Sequence, residues 1–246
     1  MTVAEIRALL KQDNVPEEVM KEIVEDPRKG VQQLLSSYTK RLERESRERL
    51  RVESMYEVES SFYKKGINYI AGIDEVGRGP LAGPVTVAAV ILKPHWFAPG
   101  LNDSKKVTPE HREILSKKIL EEAVDVSIVS LSPAEIDDYN IYQATMMAMY
   151  KAVKNLKVQP QAVIVDAMPL HFPFPTVSLI HGDARSASVA AASIVAKVHR
   201  DHRMDEYDKS IRAMGLPEIK DTVQRSILMR SGHWALRQFT GRALNR

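Results

Sequence analysis

The run Ala162-Val163-Ile164-Val165 is apolar at every position, only four residues long, and stops on Asp166. A strand that is apolar on both sides must be covered on both faces, the condition of a central strand in a parallel sheet flanked by helices. That segment restricts the chain to layered α/β architectures, and its neighbours agree. Asn68-Tyr69-Ile70-Ala71-Gly72-Ile73-Asp74 and Pro84-Val85-Thr86-Val87-Ala88-Ala89-Val90-Ile91-Leu92 are apolar and β-branched, with Gly and Pro between them. Residues 124–131 and 176–180 read as two more strands. Residues 133–155 read as mostly helical, with Met146, Met147 and Tyr150 on one face, and residues 184–207 as a long helix whose Ala190-Ala191-Ala192 allows close packing. Three strands and then alternating helix and strand predict a mixed sheet.

The first 66 residues have a different grain. Ile6, Leu9 and Leu10 suggest a short helix, Pro16-Glu17-Glu18 starts a second, and Asp26-Pro27 a third with Val31, Leu34, Leu35, Tyr38 and Leu42 at helical spacing. Residues 28–66 carry ten basic and six acidic side chains, a solvated helix held by i,i+4 ion pairs or an arm that touches nucleic-acid phosphates. The chain thus divides into a helical extension (1–66), an α/β domain (67–208) and a tail (209–246). The net charge is 35 − 32 = +3, yet the tail holds eight basic and two acidic residues, which leaves the first 208 at −3.

With no cysteine, thiol nucleophiles, zinc fingers and iron–sulfur clusters are excluded. Hydrophobic residues at 44% and charged residues at 27% exclude intrinsic disorder and a disulfide scaffold. No apolar run approaches the roughly 20 residues that span a bilayer, and the start lacks a signal-peptide core, so the chain reads as a cytoplasmic monomer.

The chemical information lies in acidic residues at strand ends. Asp74 and Glu75 end the first apolar strand, Asp166 ends the fourth, and Asp183 follows the fifth across Gly182. Open α/β sheets place their sites at this carboxyl edge. Four carboxylates converging there would repel one another unless cations lie between them. Hard oxygen ligands without cysteine point to Mg²⁺ or Mn²⁺, and such clusters hold two metals for in-line phosphoryl transfer. Any one such aspartate is more commonly a turn or a cap; the set together is what argues for a site. Beside it, Gly77-Arg78-Gly79-Pro80-Leu81-Ala82-Gly83-Pro84 lets backbone amides approach a ligand, although a Gly-rich turn alone is usually a hairpin. Asn102-Asp103-Ser104-Lys105-Lys106 sets a hydroxyl and two ammonium groups in a loop suited to a phosphate, or simply in a solvated turn.

The string Ile73-Asp74-Glu75-Val76-Gly77-Arg78-Gly79-Pro80-Leu81-Ala82-Gly83-Pro84 resembles the signature of bacterial ribonuclease HII. So do Leu101-Asn102-Asp103-Ser104-Lys105-Lys106, Val165-Asp166-Ala167, and Gly182-Asp183-Ala184 leading into Ser188 and on to Arg200-Asp201. The sister family, ribonuclease HIII, has a different Gly loop and a larger N-terminal module. The resemblance implies a ribonuclease H-like fold and an endonuclease that cuts RNA in RNA–DNA hybrids and at single ribonucleotides embedded in DNA, leaving 5′-phosphate and 3′-hydroxyl ends. It makes Asp74, Glu75, Asp166 and Asp183 the catalytic, metal-binding carboxylates. Gly77, Arg78 and Gly79 become the loop that senses the ribose 2′-hydroxyl, the group that separates RNA from DNA. Ser104 and Lys105 become substrate-backbone contacts. Asp201 is expected in a structural role, as a cap or paired with Arg200 or Arg203, and His181, His199 and His202 at the surface.

Past Tyr207 the likeness stops. Related enzymes continue with Tyr-Pro-x-Tyr-Gly, Lys-Gly-Tyr-Gly and a closing His-Arg-x-Ser-Phe, and the tyrosine the family packs on the junction sugar is missing here. The neighbouring reading frame permits these motifs in order: Ile211-Arg212-Ala213 permits Tyr-Pro-Gly, 219–223 permits Asn-Lys-Gly-Tyr-Gly, and 243–246 permits Ser-Phe-Glu-Pro. The pattern fits a frameshift near residues 209–211, in the gene or its sequencing, and explains a basic tail through base composition; a basic tail that binds nucleic acid is the rival reading. A chain that has lost this segment would be a weakly active or inactive hybrid-binding protein, the alternative to the nuclease. The coding DNA decides it.

Overall fold

A computed structural model describes residues 1–12, 15–79 and 83–213, with side chains to Ser210. It contains α1 (Val3–Leu9), α2 (Glu17–Glu25), α3 (Lys29–Ser54), α4 (Glu57–Tyr63), β1 (Ile70–Val76), β2 (Val85–Ile91), α5 (Pro109–Glu122), β3 (Asp125–Leu131), α6 (Pro133–Tyr139), α7 (Ile141–Lys154), β4 (Ala162–Asp166), β5 (Thr176–Leu179), α8 (Gly182–Arg185) and α9 (Ala187–Ala213). The chain forms two compact units, Met1–Arg51 and a second that opens at Val52.

In the first unit, Thr2 and Glu5 form a reciprocal capping box on α1, and Ile6, Leu10, Ile23 and Val31 are fully buried together, with Leu34, Leu35 and Tyr38 packed on them. These are the apolar positions that the helical spacing predicts. Leu42 is exposed.

The second unit is built on a five-stranded mixed sheet of order β3-β2-β1-β4-β5, in which β1 pairs antiparallel with β2 and parallel with β4. β4 is the buried central strand expected, its four apolar residues at 0% exposure, of which Val163, Ile164 and Val165 are each worth roughly 1.5–3 kcal/mol when fully buried from water. Side chains alternate between two faces. Val85, Val87, Ala89 and Ile91 of β2 meet Ala144, Ala148 and Met149 of α7, whereas Ala88 and Val90 meet the alanines of α9 and Leu115 and Ile119 of α5.

Three details differ from expectation. Residues 133–155 are two helices, because Asn140 takes φ 64° and its side chain caps α7 by accepting from Tyr142 and Gln143 N–H. On α7 the fully buried stripe is Ala144, Ala148, Met149 and Ala152, with Met146 and Met147 partly buried beside it and Tyr150 exposed. And the end of α3, the link after it and α4, which belong by sequence to the extension 1–66, pack with the sheet: Val52, Met55, Tyr56 and Phe62 are buried in the clusters of the second unit. The tail expected at 209–246 lies almost wholly outside the described residues.

Candidate active site

Asp74 and Glu75 lie on the last turns of β1's pleat, where alternation puts Asp74 on the same face as Gly72. That face meets α9: a Cβ on Gly72 would fall 2.1 Å from the Ser188 carbonyl carbon. Only glycine admits so close an approach. Asp74 is 6% exposed and its Oδ1 accepts the Glu75 N–H at 2.8 Å; the Ser193 hydroxyl of α9, which donates to Ser104 Oγ at 2.9 Å, lies near enough to favour its ionised form. Burial first, then the charges of Glu75 and Asp166, push its pKa well above the ordinary carboxylate value. Glu75 is raised too, by burial against the opposing charge of Arg78. Arg78 donates to Glu75 Oε1 at 3.3 Å, while Glu75 Oε2 is buried without a hydrogen-bond partner.

The parallel register pairs Ile73 with Val165, so Asp166 stands one step further along β4 beside Asp74. Asp166 Oδ1 accepts the Gly182 N–H at 2.7 Å, which ties the end of β4 to the start of α8. Both sides of that tie hold left-handed backbone at non-glycine residues, Ala167 at φ 43° and His181 at φ 57°, a costly conformation of the kind found at functional sites. The turn carries Asp183 inward to 8% exposure, where burial first, then Asp103 and Asp166, raise its pKa against the opposing charge of Lys105.

Asp166 is thus the common neighbour: its charge acts on Asp74 and Glu75 at the end of β1 and on Asp183 at the start of α8. Among the described residues, no three or more histidine, aspartate or glutamate side chains are drawn together into a formed metal-holding group. In this arrangement Asp166 Oδ1 is held by the Gly182 amide and Glu75 Oε1 by Arg78. The donor set nonetheless suits a hard divalent cation. Every donor is a carboxylate oxygen, Asp74 and Asp183 are buried, and Glu75 Oε2 has no hydrogen to satisfy it.

Of the Gly loop, Gly77 is buried at φ 105°, where a Cβ would strike the Pro84 carbonyl at 2.4 Å and the Arg200 guanidinium at 2.8 Å. Arg78 and Gly79 are exposed, and residues 80–82 are outside the described set. Lys105 is exposed and its charge acts on Glu75 and Asp183. Ser104 is buried and its hydroxyl accepts from that of Ser193 at 2.9 Å. Asp201 pairs with Lys197 one turn back, neither with Arg200 nor with Arg203. His181 and His202 are exposed; His199 is half-buried.

Four residues that the sequence did not single out complete the site's frame. Asp103 lies beside Asp183 and caps its own turn by accepting the Lys105 N–H at 2.9 Å. Ser193 reaches Asp74. Arg200, 5% exposed, donates to the Pro84 carbonyl at 3.0 Å and so props the Gly loop. Glu59 of α4, 0% exposed, accepts the Ser186 hydroxyl at 2.6 Å and the Ser188 N–H at 3.0 Å, clasping the segment that joins Asp183 to α9. Burial pushes the Glu59 pKa up, and its Oε2 has no partner.

Known proteins share these features. The family model for ribonuclease HII matches residues 71–233, and that for the ribonuclease HII N-terminal domain matches residues 2–63. Ribonuclease HII of Ligilactobacillus salivarius is 49% identical over 207 residues, 84% of this chain and 81% of the relative; that of Bacillus cereus strain B4264 is 45% identical over 219 residues, 89% of this chain and 85% of the relative. In structure, ribonuclease H2 of Pyrococcus horikoshii OT3 aligns with a TM-score of 0.57 at 25% identity, covering 66% of this chain and 86% of the other. Bst-RNase HIII, solved in complex with Mn²⁺, aligns at 0.56 with 23% identity over 72% of this chain and 67% of the other, a likeness of fold. With both parts of the family matched along the chain, and relatives near half identical over more than four fifths of it, the chain belongs to the ribonuclease HII family.

Proposed function

We propose that this chain hydrolyses the RNA strand of RNA–DNA hybrids and cuts at ribonucleotides embedded in duplex DNA, leaving 5′-phosphate and 3′-hydroxyl ends. The observation that carries the reading is the set of carboxylates gathered around Asp166 at the strand ends, in which Asp74 is buried and held well above its ordinary pKa and Glu75 Oε2 has no hydrogen-bond partner. Asp74, Glu75, Asp166 and Asp183 would hold two divalent ions, Mg²⁺ or Mn²⁺. Such ions would supply Lewis acidity at the phosphoryl oxygens and charge neutralisation for in-line displacement. The protein's own residues do the positioning. The Glu75 amide holds the Asp74 carboxyl, and the Gly182 amide holds that of Asp166. Arg78 and Lys105 are exposed cations beside the cluster, suited to scissile-strand phosphates. Gly79 has open space around its Cβ position, which suits a backbone that must come close to a sugar 2′-hydroxyl.

The test is cleavage of a long hybrid and of a single-ribonucleotide duplex in Mn²⁺ by the wild type and by Asp74→Asn. Loss in the variant should exceed the roughly 10–100-fold that supporting residues cost. Undiminished cleavage by Asp74→Asn would sink the assignment. The departure of the sequence after Tyr207 favours a second reading, hybrid binding with little turnover; a wild type that binds the hybrid but cuts neither substrate would establish it.

A further inference from the structure

The helix α3 carries a face that the nuclease reading leaves unused. Its steps Lys40, Arg44, Arg47 and Arg51 are four, three and four residues, so at 3.6 residues per turn they fall within about 60° of the helix circumference. The same stripe runs back through Ser36 and Gln33 to Lys29 without a carboxylate on it. Val31, Leu34, Leu35 and Tyr38 lie on the opposite side, where they pack against α1 and α2. The stripe therefore points away from the core of the first unit.

The acidic residues of α3 cancel only the Arg51 end of this charge. Glu45 is drawn to Arg41, off the stripe, and Glu48 neutralises only Arg51 at its far end, which leaves Lys40, Arg44 and Arg47. Glu43 is one turn from Arg47, yet Arg47 donates to its main-chain carbonyl at 3.3 Å and not to its carboxylate. Lys29, Lys40, Arg44 and Arg47 are exposed and make no ion pair with a described residue. An isolated helix solvated for its own sake would pair these cations at i,i+4; here the pairs go to Arg41 and Arg51.

We infer that this face of α3 binds the phosphate backbone of a nucleic-acid duplex, an inference that rests on the proposed substrate being such a duplex. Its cations rise by about 4.5–6 Å per step, against a duplex charge roughly every 1.7 Å of axis, so each has phosphates within its reach. Contacts of this kind carry no sequence information and raise the effective concentration of substrate near the cluster of carboxylates.

The experiment measures binding of a fluorescent RNA–DNA hybrid to the full chain in EDTA, where nothing is cut, from about 50 to 200 mM salt. Lys40→Gln, Arg44→Gln and Arg47→Gln are combined in one variant, with helicity checked by circular dichroism. Affinity at the lowest salt should fall by about tenfold or more, and the slope of log K against log salt should shrink by about 2.7, at roughly 0.9 per lost phosphate contact. A control of equal charge, Lys117→Gln, Lys151→Gln and Lys154→Gln, should keep the wild-type slope. An unchanged slope in the α3 variant, or an equal loss in the control, overturns the inference. If the wild type binds with the α3-dependent slope but cuts no hybrid in Mn²⁺, the nuclease reading fails and the binding face stands.

Discussion

Two buried carboxylates, Asp74 and Glu59, set the residue-scale behaviour of the protein. Folding takes both out of water and raises both pKa values, chiefly by burial. A carboxyl group whose folded pKa lies above its unfolded value contributes stability in full below the unfolded value and loses it as pH climbs through the folded one. In EDTA, thermal melts should therefore rise as pH drops from neutral toward 5, and Glu59→Gln should flatten part of that rise; an identical pH slope in the variant contradicts the assignment. Asp74→Asn removes a buried charge, so the metal-free variant at pH 7 should melt a few degrees higher, on the order of 1 kcal/mol, while losing cleavage. Asp74, Glu75, Asp166 and Asp183 were legible in the sequence because each ends or follows an apolar run. Glu59, Asp103, Ser193 and Arg200 were not, since each acquires its role from a partner far away in the chain: Ser186 for Glu59, Pro84 for Arg200.

At the scale of elements, the contact of β1 with α9 governs the site. Gly72 lets the two backbones touch, and a methyl there would fall 2.1 Å from Ser188 carbon, an atom that cannot swing away. Gly72→Ala should destabilise the chain by about 3 kcal/mol, the upper part of the usual overpacking range, and reduce soluble yield; a melting point within a degree of wild type would show that α9 slides freely over the sheet. The five strands could be read in advance because apolar β-branched runs of that length have few other uses. Helix α5 could not: Leu115 and Ile119 are its buried anchors, and the surrounding residues 109–122 are dominated by charge. The break at Asn140 was equally hidden, because a single residue in a left-handed conformation leaves a helical pattern on either side intact.

For the molecule as a whole, divalent cations should act as folding ligands. Binding to the native cluster but not to the unfolded chain contributes about 2.7 kcal/mol at one hundred times the dissociation constant, which at roughly 2–4 °C per kcal/mol is a rise of about 5–10 °C. Mn²⁺ should raise the melting point of the wild type in this range and leave Asp74→Asn nearly unmoved; an equal shift in both would place the ion elsewhere. Among the described residues no helix is long and apolar enough to cross a membrane.

The packing of α4 also bears on how the protein can be dissected. Family matching suggests a scissor line between residues 63 and 71, but Tyr56 donates its hydroxyl to the Trp96 carbonyl, Phe62 fills the floor beneath β4, and Glu59 pins Ser186. An excised nuclease begun at 67 would leave holes where those side chains sat, and chimaeras that trade N-terminal modules between relatives would have to be spliced within α3, upstream of Val52, to give a folded product.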